Sequence, residues 1–134
     1  MDQGSFSLTV IEAWMDEIED APKHMALFSS DPWAVADPTT VEIIGGTYAR
    51  QESLWLRTDV RAITLDAGVV WRSLVPGTVV AAVGAFDDPF GANLLFRSVL
   101  LDEDGNPEPR VYPSGGTHTL AAGQYVVGID VPFA

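Results

Sequence analysis

The chain has 134 residues, 47% of them hydrophobic, with four tryptophans and no cysteine. That is enough for one domain with a substantial core, and it excludes disulfide frameworks, thiolate metal sites and cysteine nucleophiles. Nineteen acids stand against one lysine and six arginines, for a net charge of −12, a field that repels nucleic-acid phosphates and anionic membrane surfaces.

No apolar run approaches the ~20 residues of a membrane span, and no basic segment leads into an apolar one at the start. A soluble chain without a secretion signal, binding neither nucleic acid nor membrane, is the expectation. Residues 7–20, SLTVIEAWMDEIED, place Leu8, Ile11, Trp14, Met15 and Ile18 at the i, i+3, i+4 and i+7 spacings of one helical stripe. Ser7 is the N-cap candidate and Pro22 the stop. The polar face carries Glu12, Asp16, Glu17, Glu19 and Asp20, with no cation before Lys23. Acids near a helix C-terminus oppose its macrodipole, so this face reads either as a match for a basic partner or as a solvated surface. A helix this short must dock on something to persist. It is therefore assigned to residues 1–22, an arm for attachment or oligomerisation, ahead of a β-domain over 23–134.

From Lys23 the pattern changes to short apolar runs punctuated by Gly, Pro and Asp. Strands are predicted near 24–29, 41–44, 54–58, 60–65, 68–74, 78–86, 93–101, 117–121 and 124–131, with turn residues crowding DPWAVADPTT, DDPFGA and DEDGNPEPRVYPSGG. Many strands and no second helix predict an all-β fold: an antiparallel β-sandwich, jelly-roll or Ig-like, with one short N-terminal helix. TVVAAVGAF is apolar on both alternating faces and should be a central strand. QYVVGIDV, which ends at Pro132, suits an edge or terminal strand.

Chemistry-bearing patterns are sparse. His24 and His118 each sit inside a strand pattern, away from any nucleophile motif, and read as half-buried core or interface residues. DEDGNPE (102–108) offers alternating oxygen ligands, but Gly105 and Pro107 occupy the wrong positions for a calcium loop, so an acidic hairpin turn is expected, with a low-affinity calcium site as the alternative. Asp87 and Asp88 are neighbours in a turn and do not form a carboxylate pair across a cleft. The tryptophans at 33, 55 and 71 read as core or interface residues, with a sugar platform as the alternative.

The segment VEIIGGTYARQ (41–51) lacks the G-K-[ST] of a phosphate loop. It reads as a structural joint. Gly45 and Gly46 permit a bulge or positive-φ turn, and Tyr48 packs inward with its hydroxyl on a backbone group. Arg50 can tie loop carbonyls or a carboxylate such as Glu42 or Asp87, and Gln51 can satisfy nearby backbone.

Together with HMALFSSDP (24–32), VVAAVGAFDDPFGANLLFRSVL (79–100) and THTLAAGQYVVGIDV (117–131), this segment resembles a family of small bacteriophage virion proteins, commonly described as tail fibre or minor tail proteins. GGTYARQ and GANLLF, in that order, carry the resemblance; the N-terminal helix lies outside it. The resemblance implies a non-enzymatic structural protein of the virion, sited in the tail, without cofactor. Its partners would be other virion proteins and copies of itself, a trimer in the first instance. Capsid decoration is the alternative location. A host-glycan-binding module, using Trp33, Phe90 and Tyr112 in the turn-rich loops, is a rival of another class, and a glycan hydrolase is a third.

Overall fold

The computed structural model describes residues 8–59, 62–123 and 126–128, without the side chains of 8–11, 59 and 126–128. The fold is all-β and sandwich-like in class, built mostly of antiparallel ladders, with one short N-terminal helix. The chain folds as two compact units interleaved in sequence. One comprises residues 1–22, 53–68 and 120–134, the other 23–52 and 69–119. The helix therefore shares a unit with two later segments, where a simple break after residue 22 had been expected.

In the first unit, helix α1 (Leu8–Glu19) packs on β3 (Trp55–Asp59) and β4 (Ala62–Leu65), and β11 (Val126–Gly128) flanks β4 in an antiparallel sheet of order β11-β4-β3. β11 is the part of the expected 124–131 strand that falls within the described residues, and it lies at a sheet edge as anticipated. Met15, Trp55, Ile63 and Leu65 are buried here. The stripe expected to serve assembly is thus partly used inside the chain. Met15 is buried, Ile18 half-buried and Trp14 exposed, while the side chains of Leu8 and Ile11 lie outside the described residues. The acidic face also finds a partner within the chain. Arg57 donates from Nη2 to Asp16 Oδ1 at 2.7 Å and to the Glu12 carbonyl at 3.0 Å, and its backbone N–H donates to Glu19 Oε2 at 2.6 Å.

The second unit is organised on a four-stranded sheet of order β2-β1-β7-β8: β2 Gln51–Ser53, β1 Lys23–Phe28, β7 Ala82–Phe86 and β8 Leu94–Val99. β7 is central, antiparallel to both neighbours, and every one of its residues is buried. Alternation fails in AVGAF because both faces are covered. Ala26, Phe28, Ala82 and Phe86 form one core cluster, with Val41, Leu94 and Val99 packed against it. Gly84 sits where a Cβ would fall 2.9 Å from the Phe96 carbonyl oxygen and 3.0 Å from the Phe28 ring, so the close packing of β1, β7 and β8 requires glycine there. The remaining strands, β5 (Val69–Leu74) with β10 (Gly116–Leu120) and β6 (Thr78–Val80) with β9 (Arg110–Tyr112), form two-stranded sheets.

Two predicted strands change in detail, and a further strand, β9, lies where a turn was expected. The run 78–86 breaks at Ala81: β6 pairs with β9, whereas β7 pairs with β1 and β8. A strand that changes partners partway must bend out of its first ladder. The run 41–44 is not a strand. Asp37 caps a 3₁₀ turn over Pro38–Val41 by accepting the Thr39 N–H at 3.0 Å, which leaves Glu42 a single bridge to Phe28. Asp-Pro followed by Thr is a turn initiator, and here it outweighs the β-branched run behind it. β9 was hidden within the long acidic loop because prolines flank its three residues. At the start of that loop, Asp102 Oδ1 accepts the N–H groups of Asp104 and Asn106, both at 2.9 Å, and forms the acidic hairpin turn.

Candidate functional site

The Gly-Gly joint opens on left-handed backbone, with φ of 101° at Gly45 and 60° at Gly46. A Cβ on Gly46 would stand 3.0 Å from Val75 Cγ2, so conformation and space both select glycine. The turn closes with Tyr48 N–H donating to the Gly45 carbonyl at 3.2 Å and aims the following side chains back at β1. The Tyr48 hydroxyl donates to Glu42 Oε2 at 2.7 Å and accepts the Leu27 N–H at 3.1 Å. Burial, followed by the adjacent Glu42 carboxylate, pushes the Tyr48 phenol well above its ordinary pKa.

Arg50 holds the other side of the same carboxylate. Its Nη2 donates to Glu42 Oε1 at 2.8 Å and its Nε to Oε2 at 3.0 Å, a fork-to-fork pair. Nη1 turns away to donate to the carbonyls of Asp88 at 3.0 Å and Gly91 at 2.7 Å. The guanidinium lies over the Phe86 ring, 3.5 Å from its centroid. Arg50 and Glu42 retain only 7% and 11% side-chain exposure. Desolvating both charges costs several kcal/mol, which the pairing and the carbonyl bonds must offset, so the site tolerates the loss of neither partner.

The loop that Arg50 holds is braced from within as well. Asp88 Oδ1 accepts the N–H groups of Phe90 at 2.7 Å and Gly91 at 2.9 Å, and Asn93 Nδ2 donates to Asp87 Oδ2 at 2.8 Å. Phe90 stands on this loop at 93% exposure. Between loop and joint lies an open cleft of about 490 Å³, with Ile43, Ile44, Ala49, Pro89 and Phe90 in its lining and Glu42 and Arg50 among them. Gln51 acts locally, donating to the Ala49 carbonyl at 3.0 Å.

The joint residues Gly45, Gly46, Tyr48 and Arg50 are therefore brought together as one clasp, on Glu42 and not Asp87. The three aromatics considered for surface recognition are not. Tyr112 is half-buried and shares a 2.7 Å hydrogen bond with His118 Nδ1, so it is committed to the fold. His118 is 4% exposed, and burial with the nearby Arg110 charge lowers its pKa to about 4. Trp33 sits in a 3₁₀ turn (Pro32–Ala34) and is 55% exposed, with Arg97 from β8 over its ring. Arg97 had no signal in the sequence, because β8 brings it to Trp33 from more than sixty positions away.

Among the described residues, no three His, Asp or Glu side chains are placed to hold a metal ion, and no helix is long and apolar enough to cross a membrane. No family model matches this chain, and no curated protein matches it in sequence.

Proposed function

We propose that this chain is a non-enzymatic structural component of a bacteriophage virion, of tail or tail-fibre type. The observation that carries the reading is the clasp. The segment on which the resemblance rests, GGTYARQ, spends its polar side chains on one another and on loop backbone: Tyr48 and Arg50 on Glu42, Arg50 on Asp88 and Gly91, Gln51 on Ala49. Groups paired in this way hold a joint rigid and present no activated nucleophile or base to a substrate. Rigid joints suit a particle component, which must keep neighbouring copies in fixed register. Such a component works as a homo-oligomer, a trimer in the first instance, seated on other virion proteins.

The test is direct. Purified particles of the phage that encodes the chain are examined for its peptides by mass spectrometry, and intact particles are labelled with gold-conjugated antibody. Peptides in the particles with label on the tail are the expected result. Absence from the particles overturns the reading, and label confined to the head moves the chain to shell decoration.

A further inference from the structure

A second feature of the unit built on the four-stranded sheet has no part in the clasp. Asp31, in the loop after β1, caps the 3₁₀ turn by accepting the Trp33 N–H at 3.0 Å, and Pro32 within that turn is buried. Asp31 also receives Arg97, from Nε to Oδ1 at 3.0 Å and from Nη2 to Oδ2 at 3.2 Å. The Trp33 N–H, with the Arg97 bonds and charge adding to it, holds the Asp31 carboxyl below the usual range, so it stays ionised. The Arg97 guanidinium then lies over the indole at 4.4 Å from the ring centroid. Backbone, carboxylate and guanidinium thus fix one large aromatic ring at the surface.

What this triad leaves open is specific. Trp33 keeps 55% exposure although Arg97 lies over its ring, so more than half of the residue stays open to a ligand. Within the described residues, Arg97 Nη1 and the Trp33 indole N–H make no hydrogen bond, while Asp31 and Arg97 side chains remain 34% and 28% exposed. A flat apolar face bordered by fixed donors and a fixed acceptor matches a ring that has axial C–H groups on one side and hydroxyls on its rim. Each hydroxyl both donates and accepts, as the Arg97–Asp31 edge requires. The chain's charge of −12 disfavours carboxylated or sulfated sugars at the same place.

We propose that Trp33, Arg97 and Asp31 form a binding site for a neutral pyranose, with the exposed indole as platform and the Arg97–Asp31 edge as the hydroxyl reader. The site is rigid before the ligand arrives, which limits the ordering cost of binding. It stands apart from the clasp and does not depend on where in a particle the chain resides.

The full-length protein is titrated, by calorimetry and by saturation-transfer NMR, with trisaccharides of glucose, galactose and N-acetylglucosamine and with trigalacturonate as the anionic control. Saturable binding of at least one neutral trisaccharide is expected, weakened about tenfold or more by Trp33→Ala and left unchanged by Phe90→Ala. Trp33→Phe, which keeps a smaller ring face, should lose less, and it serves as the reading if the alanine variant fails to fold. The proposal is overturned if no neutral trisaccharide saturates, if trigalacturonate binds best, or if the Trp33 variants bind as the parent does.

Discussion

Arg50 connects three things that local sequence does not connect: the carboxylate of Glu42, two carbonyls of the 87–93 loop, and the face of Phe86. Its removal would leave Glu42 as a buried charge facing only Tyr48, and would free the loop carbonyls. Arg50→Ala is expected to cost ~3–5 kcal/mol, which thermal unfolding should register as a fall in Tm on the order of ten degrees. A melting temperature unchanged from the parent would remove the clasp as a stabilising element. His118 makes a prediction of opposite character, because it is stabilising only while neutral. Its folded pKa of about 4 lies below the ordinary histidine value of 6.5. As pH falls through 6.5 the unfolded chain takes up the proton first, so stability drops down to about pH 4 and is level below it. The slope in that window is about 1.4 kcal/mol per pH unit, for a total of roughly 3 kcal/mol. Denaturation at a series of pH values should show this slope in the parent, and a shallower one in His118→Asn.

At the scale of the element, the helix tests whether an amphipathic stripe belongs to the fold or to a partner. Met15 is 1% exposed inside its own unit, and Arg57 of β3 ties the acidic face at Asp16, Glu19 and the Glu12 carbonyl. If α1 is an integral part of that unit, Met15→Ala removes a buried side chain and costs ~2–5 kcal/mol in denaturant titration. An arm that engages only a neighbour would leave that stability unaltered. The helix itself was legible, since one apolar stripe and a proline stop are local signals. Its docking partner was not, because Arg57 and Asp16 are far apart in sequence and nothing near either announces the other. The same division runs through the β-elements. β1, β5 and β8 follow from their apolar runs, whereas the break at Ala81 and the short β9 come from pairing choices made in three dimensions. The clasp was legible in unusual detail because glycine pairs and a five-donor side chain have few structural uses. The stacking of Arg50 on Phe86 and of Arg97 on Trp33 was not, since both are products of sheet register.

For the whole molecule, charge is the main constraint on the proposed assembly. Each copy carries −12, so bringing copies together concentrates like charge, and the contact must outweigh that repulsion. Screening shortens the reach of these fields from ~30 Å at 0.01 M salt to about 8 Å at 0.15 M. A homo-oligomer of this chain should therefore tighten as salt rises. If the chain forms the proposed trimer, sedimentation velocity across a salt series from low to several-fold physiological will show the oligomeric fraction increasing, with a mass of three chains. A contact with a basic virion protein would behave in the opposite way, since its attraction is what salt screens. The sign of the salt dependence thus separates self-association from attachment to an oppositely charged neighbour. A chain that stays monomeric at every salt concentration, yet binds a basic particle protein at low salt, would assign assembly to that neighbour and withdraw the trimer.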